Sequence, residues 1–253
     1  MLDSHTHLND ERLSPIIEEI VSSLPMDGVE AVINIGYDLP SSRLALEQAR
    51  DYPSVYAAIG CHPHDSKDYD REFRDWILSV ASHPKVVAIG ETGLDYYYDN
   101  SERDVQRRAM REHIELADSL RLPLVLHIRE AHGDALAILR DMERYLTHGV
   151  QVHCYSGSVE LVREYSRFDS YFSFGGAITF KNADKGDIVR AVPRDRLLIE
   201  TDAPYMTPVP MRGKTNEPKL MRYTLVRLAE LLDRDVAEVD EITTANAKRL
   251  FGI

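Results

Sequence analysis

The sequence holds little cysteine, no long apolar run and a deficit of basic charge, and each shortage removes a class of protein. Cys61 and Cys154 are the only cysteines among 253 residues. Two are too few for a disulfide framework and fit a reducing compartment. No apolar stretch reaches the length of a membrane span, and the N-terminus lacks the basic-then-apolar layout of a signal peptide. A cytoplasmic location without a membrane partner is therefore expected. Lys and Arg number 30 against 42 Asp and Glu, a formal net charge of −12. A protein that coats duplex DNA by neutralising many phosphates carries a basic face, so this balance argues against such a role. It leaves room for an enzyme that grips one or two phosphates, because bound divalent cations supply positive charge locally. Linkers, repeats and low-complexity segments are also missing.

What is present reads as one domain spanning residues 1–253. Hydrophobic residues make up 43% of the chain, enough for a substantial core. Short runs rich in Val and Ile predict strands at Leu2–His5, Ala31–Ile35, Val55–Ile59, Val86–Gly90, Leu124–His127, Val150–His153, Tyr171–Phe174 and Leu197–Glu200. Several are apolar throughout, as parallel strands covered on both faces should be. Amphipathic stretches between them predict helices at Pro15–Ser23, Ser42–Asp51, Arg71–Ser82, Asp104–Leu120, Asp134–Tyr145, Val159–Arg167 and Asp187–Ala191, with two more at Lys219–Leu232 and Val236–Leu250. Eight strands interleaved with helices predict an α/β fold, a (β/α)8 TIM-type barrel. An open doubly wound sheet is the alternative. It would carry a glycine-rich phosphate turn after its first strand, and here that turn is His5-Thr6-His7-Leu8-Asn9.

The C-terminal ends of barrel strands meet at one face, where active sites of this fold lie. His5 and His7 close the first strand, an H-x-H pair whose imidazoles project to one side. The third strand runs into His62-Pro63-His64 and the fourth into Glu91. The fifth ends in His127-Ile128-Arg129, the sixth in His153 and the eighth in Glu200-Thr201-Asp202. Four histidines and two carboxylates converging at one face suffice for two divalent ions with open positions. Each residue also has an ordinary reading. His127 and His153 could be hydrogen-bonded core histidines, Glu91 a helix cap, Asp202 a turn former before Ala203-Pro204, and Cys154 a small buried thiol. His83, His113, His132 and His148 fall in helix or loop contexts and are read as surface residues.

Several segments together resemble the TatD family of metal-dependent deoxyribonucleases, among the amidohydrolase-like barrels. They are Asp3-Ser4-His5-Thr6-His7-Leu8, Gly60-Cys61-His62-Pro63-His64, Gly90-Glu91-Thr92-Gly93-Leu94-Asp95-Tyr96, Leu122–Arg129, His153-Cys154-Tyr155-Ser156-Gly157, Glu200–Tyr205 and Arg212–Pro218. The closing helix, through Asn246-Ala247-Lys248-Arg249-Leu250-Phe251, is also similar to the family's. The resemblance implies that His5, His7 and Asp202 hold one ion, and that Glu91 bridges to a second ion held by His127 and His153. Thr6, Thr92, Ile128 and Tyr155 stand where members vary. None is a ligand position, so this variation bears on substrate preference.

The chemistry expected from this site is hydrolysis of a phosphodiester. Metal coordination lowers the pKa of water to about 7, which makes hydroxide available at neutral pH. Glu91 suits a bridge because its two oxygens can serve different ions, and Asp202 combines ligation with acceptance of the water's proton. His62 either contacts the scissile phosphate or protonates the leaving oxygen; the ordinary reading is a turn fixed by Pro63, and it is favoured for His64. Arg129 and Arg212 are phosphate-clamp candidates because a guanidinium forks onto two oxygens. The loop Met206–Glu217 would wall the substrate, and Tyr96 and Tyr155 either stack a base or simply pack.

An acidic body with one metal-centred pocket favours ends, short single strands or abasic lesions. The expected activity is thus a 3′-to-5′ exonuclease on single-stranded DNA, extending to RNA, in a monomer using two divalent ions (Mg²⁺, Mn²⁺ or Zn²⁺). One alternative keeps the site and changes the bond to a carboxylic ester, lactone or aminoacyl-tRNA linkage. Another is a non-catalytic metal-binding scaffold.

Overall fold

A computed structural model describes all 253 residues. Eight strands lie side by side in chain order: β1 (Leu2–Thr6), β2 (Ala31–Ile35), β3 (Val55–Ile59), β4 (Val86–Asp95), β5 (Leu124–Arg129), β6 (Val150–Val152), β7 (Ser170–Phe174) and β8 (Leu197–Ile199). Each neighbouring pair is parallel. Helices cover the outside: α1 (Ile17–Ser23), α2 (Leu39–Asp51), α3 (Arg71–Val80), α4 (Arg103–Leu120), α5 (His132–Asp141), α6 (Val159–Tyr165), α7 (Gly186–Ala191), α8 (Met221–Leu232) and α9 (Val236–Phe251). This is a TIM-type barrel, and the doubly wound alternative falls with the sequential strand order. No helix is long and apolar enough to cross a membrane.

The seam between β8 and β1 is closed just beyond the end of β8. Asp202 N–H donates to His5 O at 2.9 Å, and His7 N–H donates to Ala203 O at 2.7 Å. The buried Asp3 carboxylate reinforces the join by accepting from the Thr201 N–H at 2.9 Å and the Thr201 hydroxyl at 2.5 Å. Barrel closure and the juxtaposition of His5, His7 and Asp202 therefore depend on the same hydrogen bonds.

Side chains two apart on a strand share a face, and that rule stratifies the interior. Leu198 and Glu200, Tyr171 and Ser173, and Val125 and His127 pair an apolar residue with a polar one above it. Below, Leu2, Ile33, Val125, Tyr171 and Leu198 form one apolar cluster, into which Leu250 and Phe251 of α9 pack. Above it, Gln151 Nε2 donates to Ser4 Oγ at 3.1 Å and to Ser173 Oγ at 3.0 Å, and Ser173 Oγ donates to Glu200 Oε2. The ionisable face thus rests on a hydrogen-bonded polar layer, itself seated on an apolar plug.

Two features differ from the sequence expectation. Strand β4 continues to Asp95 rather than stopping at Gly90, pairing Thr92 with Leu126 and Asp95 with Arg129. Gly90 and Gly93 interrupt the apolar pattern that signalled the strand, yet pairing needs them. Both have positive φ, and a Cβ at either would strike the backbone of β5, at Val125 and His127 respectively. His113 is not a surface residue. It is fully buried on α4, with Nδ1 2.8 Å from Ala109 O and Nε2 accepting from Cys61 N–H at 3.1 Å. It therefore pins α4 to the end of β3 as a neutral ring.

Burial pushes the His113 pKa down from 6.5 to about 4. Because the folded value lies below the unfolded one, the unfolded chain takes up the proton first as pH falls. The ring's stabilisation is complete above 6.5 and is lost as pH drops toward 4. The stability difference between the parent and His113→Gln, from urea titrations, should shrink by about 3 kcal/mol between pH 7 and pH 4. A difference independent of pH would show that this ring titrates normally.

Candidate metal centre

Strand ends deliver the ionisable groups to one point. His5 lies in β1, with His7 directly after it; Glu91 is in β4 and His127 in β5; His153 and Asp202 follow β6 and β8. Glu91 sits in the middle with its carboxylate divided. Its Oε2 is 3.4 Å from His5 Nε2 and 3.9 Å from His7 Nε2. Its Oε1 is 2.8 Å from His153 Nε2, 3.1 Å from His127 Nδ1 and 3.8 Å from His62 Nε2. Asp202 Oδ1 joins the first group, 3.4 Å from His7 Nε2 and 3.7 Å from His5 Nε2. All six residues expected to act as ligands are brought together.

The arrangement fits divalent cations. Ligand atoms about 2.0–2.2 Å from a common ion stand roughly 3 Å apart in octahedral and roughly 3.5 Å apart in tetrahedral coordination. The triangle of Glu91 Oε1, His127 Nδ1 and His153 Nε2 has sides of 2.8, 3.1 and 3.1 Å. Both ring nitrogens of His5 are buried without a hydrogen-bond partner, an arrangement that is costly unless another acceptor of the lone pair is bound. Three overlapping groups have donors close enough to hold an ion: His5, His7 and Glu91; His5, His153 and Asp202; and His62, Glu91 and His127.

For three rings, His7, His127 and His62, a hydrogen bond on the far side sorts ligand from donor, with the tautomer assigned from the network. His7 Nδ1 lies 3.0 Å from Ile35 O, so it carries the proton and Nε2 presents a lone pair to the centre. His127 Nε2 is 3.1 Å from Asp95 Oδ2, so its proton points outward and Nδ1 faces in. This is the carboxylate–histidine arrangement that orients metal ligands. His62 is reversed. Its Nδ1 accepts from His64 N–H at 3.1 Å, so the neutral ring carries its proton on Nε2, toward Glu91. His62 is therefore built as a hydrogen-bond donor facing the centre.

The electrostatics are those of two carboxylates shared among imidazoles. Burial opposes ionisation of Glu91, but His153, His5 and His62 outweigh it and hold the carboxyl well below its usual range. Burial likewise opposes the charged form of His153, but Glu91 and Glu200 outweigh it and raise the ring's pKa. For His62 burial prevails, aided by His127, and its pKa falls well below the ordinary value. Asp202 is held low by His7, His153 and His5 against burial. Cations entering this cluster would displace protons from histidines, which couples metal affinity to pH.

Two further carboxylates of the motif segments, Asp95 and Glu200, flank the ligand histidines. Asp95 is fully buried; its Oδ2 also lies 3.0 Å from His64 Nε2, and its Oδ1 accepts the Tyr97 and Tyr98 N–H groups, each at 3.0 Å. Burial opposes its ionisation, but the bonds from His127, Tyr98 and His64 hold it well below the usual range. Glu200, also fully buried, accepts from Cys154 N–H at 2.7 Å and lies 3.7 Å from His153 Nδ1. The available signal was position: both are acids at strand ends facing the mouth.

The substrate-contact candidates divide. Arg129 is exposed and stands over Tyr97 and Tyr98, 4.2 and 4.9 Å from the ring centroids. Arg212 is exposed in the loop after β8, over Phe180 at 4.1 Å. His64 is half-buried against Asp95, so its ring does more than the turn-forming role favoured for it. Tyr155 is only 3% exposed, packed edge-on against Phe172, its hydroxyl donating to Ser158 O at 2.8 Å. It has no face free for a base. Tyr96 is anchored by its hydroxyl to Asp134 at 2.6 Å.

Residues 2–252 match the family model described as TatD related DNase. The chain belongs to the TatD family of metal-dependent hydrolases. It is 43% identical to the uncharacterized metal-dependent hydrolase YabD of Bacillus subtilis, over 100% of this chain and 99% of that protein. It is 37% identical to the uncharacterized metal-dependent hydrolase TatD of Mycobacterium tuberculosis, over 100% and 98%. The crystal structure of the Escherichia coli TatD homologue YJJV superposes with a TM-score of 0.93 at 28% identity, covering 100% of this chain and 98% of that one.

The tautomer assignment separates two variants of this TatD-family site. Asp95→Asn, which loosens His127, should lower metal affinity by roughly 10- to 100-fold with the fold retained. His62→Ala should keep metal affinity within a few-fold of the parent. Chelator-competition titrations with Mn²⁺ measure both, and the reverse order would refute the assignment.

Proposed function

We propose that this protein hydrolyses phosphodiester bonds in DNA, removing nucleotides from the 3′ end of single strands, with RNA as a further substrate. The observation that carries the reading is the division of Glu91. One carboxylate faces donors on two sides, His5 and His7 with Asp202 beside Oε2 and His127 with His153 beside Oε1, although His5 and His153 are also close enough to share an ion. That is the donor set for a pair of ions sharing one carboxylate. Bound divalent cations would supply Lewis acidity and activation of water at neutral pH.

The protein's own groups supply the remainder. Asp202, the carboxylate of the centre nearest solvent, is ionised and placed to accept the proton of the attacking water. His62 donates its Nε2–H toward the position a phosphate oxygen takes beside Glu91. A preformed donor of this kind is worth roughly 10²–10³ in kcat. Arg129, two residues beyond His127, adds a fixed cation at the rim. The rest of the body repels a polyanion, since the net charge is −12. That balance favours engagement of one end over wrapping of a duplex. Mixed imidazole and carboxylate donors suit Mn²⁺ or Zn²⁺ better than Mg²⁺, which prefers oxygen ligands and would serve through its abundance in the cell. We read the protein as a cytoplasmic monomer; both cysteines are free.

End-labelled single-stranded DNA tests this directly. Metal-stripped enzyme should be inert, and restored Mg²⁺ or Mn²⁺ should give stepwise shortening from the 3′ end. Glu91→Ala should lose at least roughly 10³ in rate, as expected for removal of the shared group. Cleavage of circular single strands, or no cleavage under any metal, would contradict the reading; in the second case carboxylic esters, lactones and acyl-tRNA become the substrates to try.

A further inference from the structure

The rim beside the metal centre carries a feature that phosphodiester hydrolysis alone does not use. Tyr97 and Tyr98 follow β4 and are each 54% exposed, which among the large hydrophobic side chains only Met26 exceeds. Their rings meet edge to face at 4.8 Å. The Arg129 guanidinium lies over both and has no ion-pair partner. An unpaired guanidinium on an acidic protein, resting on two solvent-facing aromatic rings, is a surface that awaits a partner.

The position of these rings is fixed. Both backbone N–H groups donate to Asp95 Oδ1 at 3.0 Å, while Asp95 Oδ2 lies 3.1 Å from His127 Nε2. One buried carboxylate thus sets the orientation of His127 and the height of the tyrosine pair. The Tyr98 ring stands 5.3 Å from His64, whose ring is 4.3 Å from that of His62. The rings therefore step outward from the centre, from His62 through His64 to Tyr98.

We propose that Tyr97, Tyr98 and Arg129 form a platform that receives an unpaired base of the nucleic-acid strand next to the bond being cut. The proposal rests on the phosphodiester reading above and specifies how the substrate is held. Every base has a π-face, so stacking on such rings tolerates any sequence but requires that the base be free of a duplex. The guanidinium adds a contact to the adjoining phosphate or to the base plane. The other exposed aromatic–arginine pair of the rim, Tyr205 under Arg12, is already satisfied: Arg12 is forked onto Asp10, and the Tyr205 hydroxyl lies 3.2 Å from Asp10 Oδ2. The Tyr97–Tyr98 pair is left open.

The test compares single-stranded oligonucleotides that are intact or carry one tetrahydrofuran abasic residue at the 3′-terminal or penultimate position. The parent enzyme should lose roughly 10- to 100-fold in kcat/KM on one of the two abasic substrates, the size of one lost stacking contact. Tyr97→Ala and Tyr98→Ala should bring the intact-to-abasic ratio toward one, and Tyr98→Phe should preserve it. Both alanine variants keep the backbone N–H groups that Asp95 accepts, and both side chains are exposed, so the fold is not at stake. Unchanged ratios in the variants, or a parent that ignores the missing base, would overturn the platform while leaving the nuclease reading intact. A parent that cleaves none of the oligonucleotides would overturn the nuclease reading, and the platform with it.

Discussion

A single ionised carboxylate, Glu91, buried among imidazoles at the mouth of the barrel, is the constraint from which the rest of the site follows. Placing such a charge in a protein interior is expensive unless it is surrounded by donors or cations. The chain meets that demand from five directions, with His5, His7, His62, His127 and His153 all within 4 Å of its oxygens. Because the oxygens face different partners, the histidines gather on two sides of one carboxylate, and the proposal of a shared pair of ions rests on that arrangement. The same crowding explains the scattered protonation preferences of the rings, which divide between those that take a proton readily and those that shed it.

Around that charge the barrel works as a positioning device. Hydrogen bonds across the β8–β1 seam bring Asp202 against His5 and His7. Beneath, the Ser4, Gln151, Ser173 and Glu200 layer supports His153 from below. Asp95 holds His127 from outside and, through its second oxygen, the tyrosines at the rim. Ring tautomers set by these outer contacts decide which nitrogens offer a lone pair and which offer a proton. His62 is distinguished from its neighbours by a backbone N–H on the opposite nitrogen, and its role diverges for that reason.

Much of this was legible in the sequence because a parallel barrel sends every strand's C-terminal end to the same face. Reading strand ends alone assembled His5, His7, Glu91, His127, His153 and Asp202, and the structure puts them within reach of one another. What was not legible depends on contacts across the chain. The extension of β4 hid behind Gly90 and Gly93, whose missing side chains break the apolar pattern but let β5 approach. His113 read as a surface residue because helical context alone does not reveal that Cys61 N–H stands opposite it. The choice among tyrosines also escaped: Tyr155 packs inward while Tyr97 and Tyr98 face solvent, and irregular loops have no periodicity that predicts which way a ring turns.

Anomalous diffraction from crystals grown with Mn²⁺ bears most directly on the shared carboxylate. Two peaks about 3.5–4 Å apart, one beside His5 and His7 and the other beside His127 and His153, with a Glu91 oxygen on each, is the predicted result. A single ion, or a pair that leaves Glu91 unligated, would contradict the account.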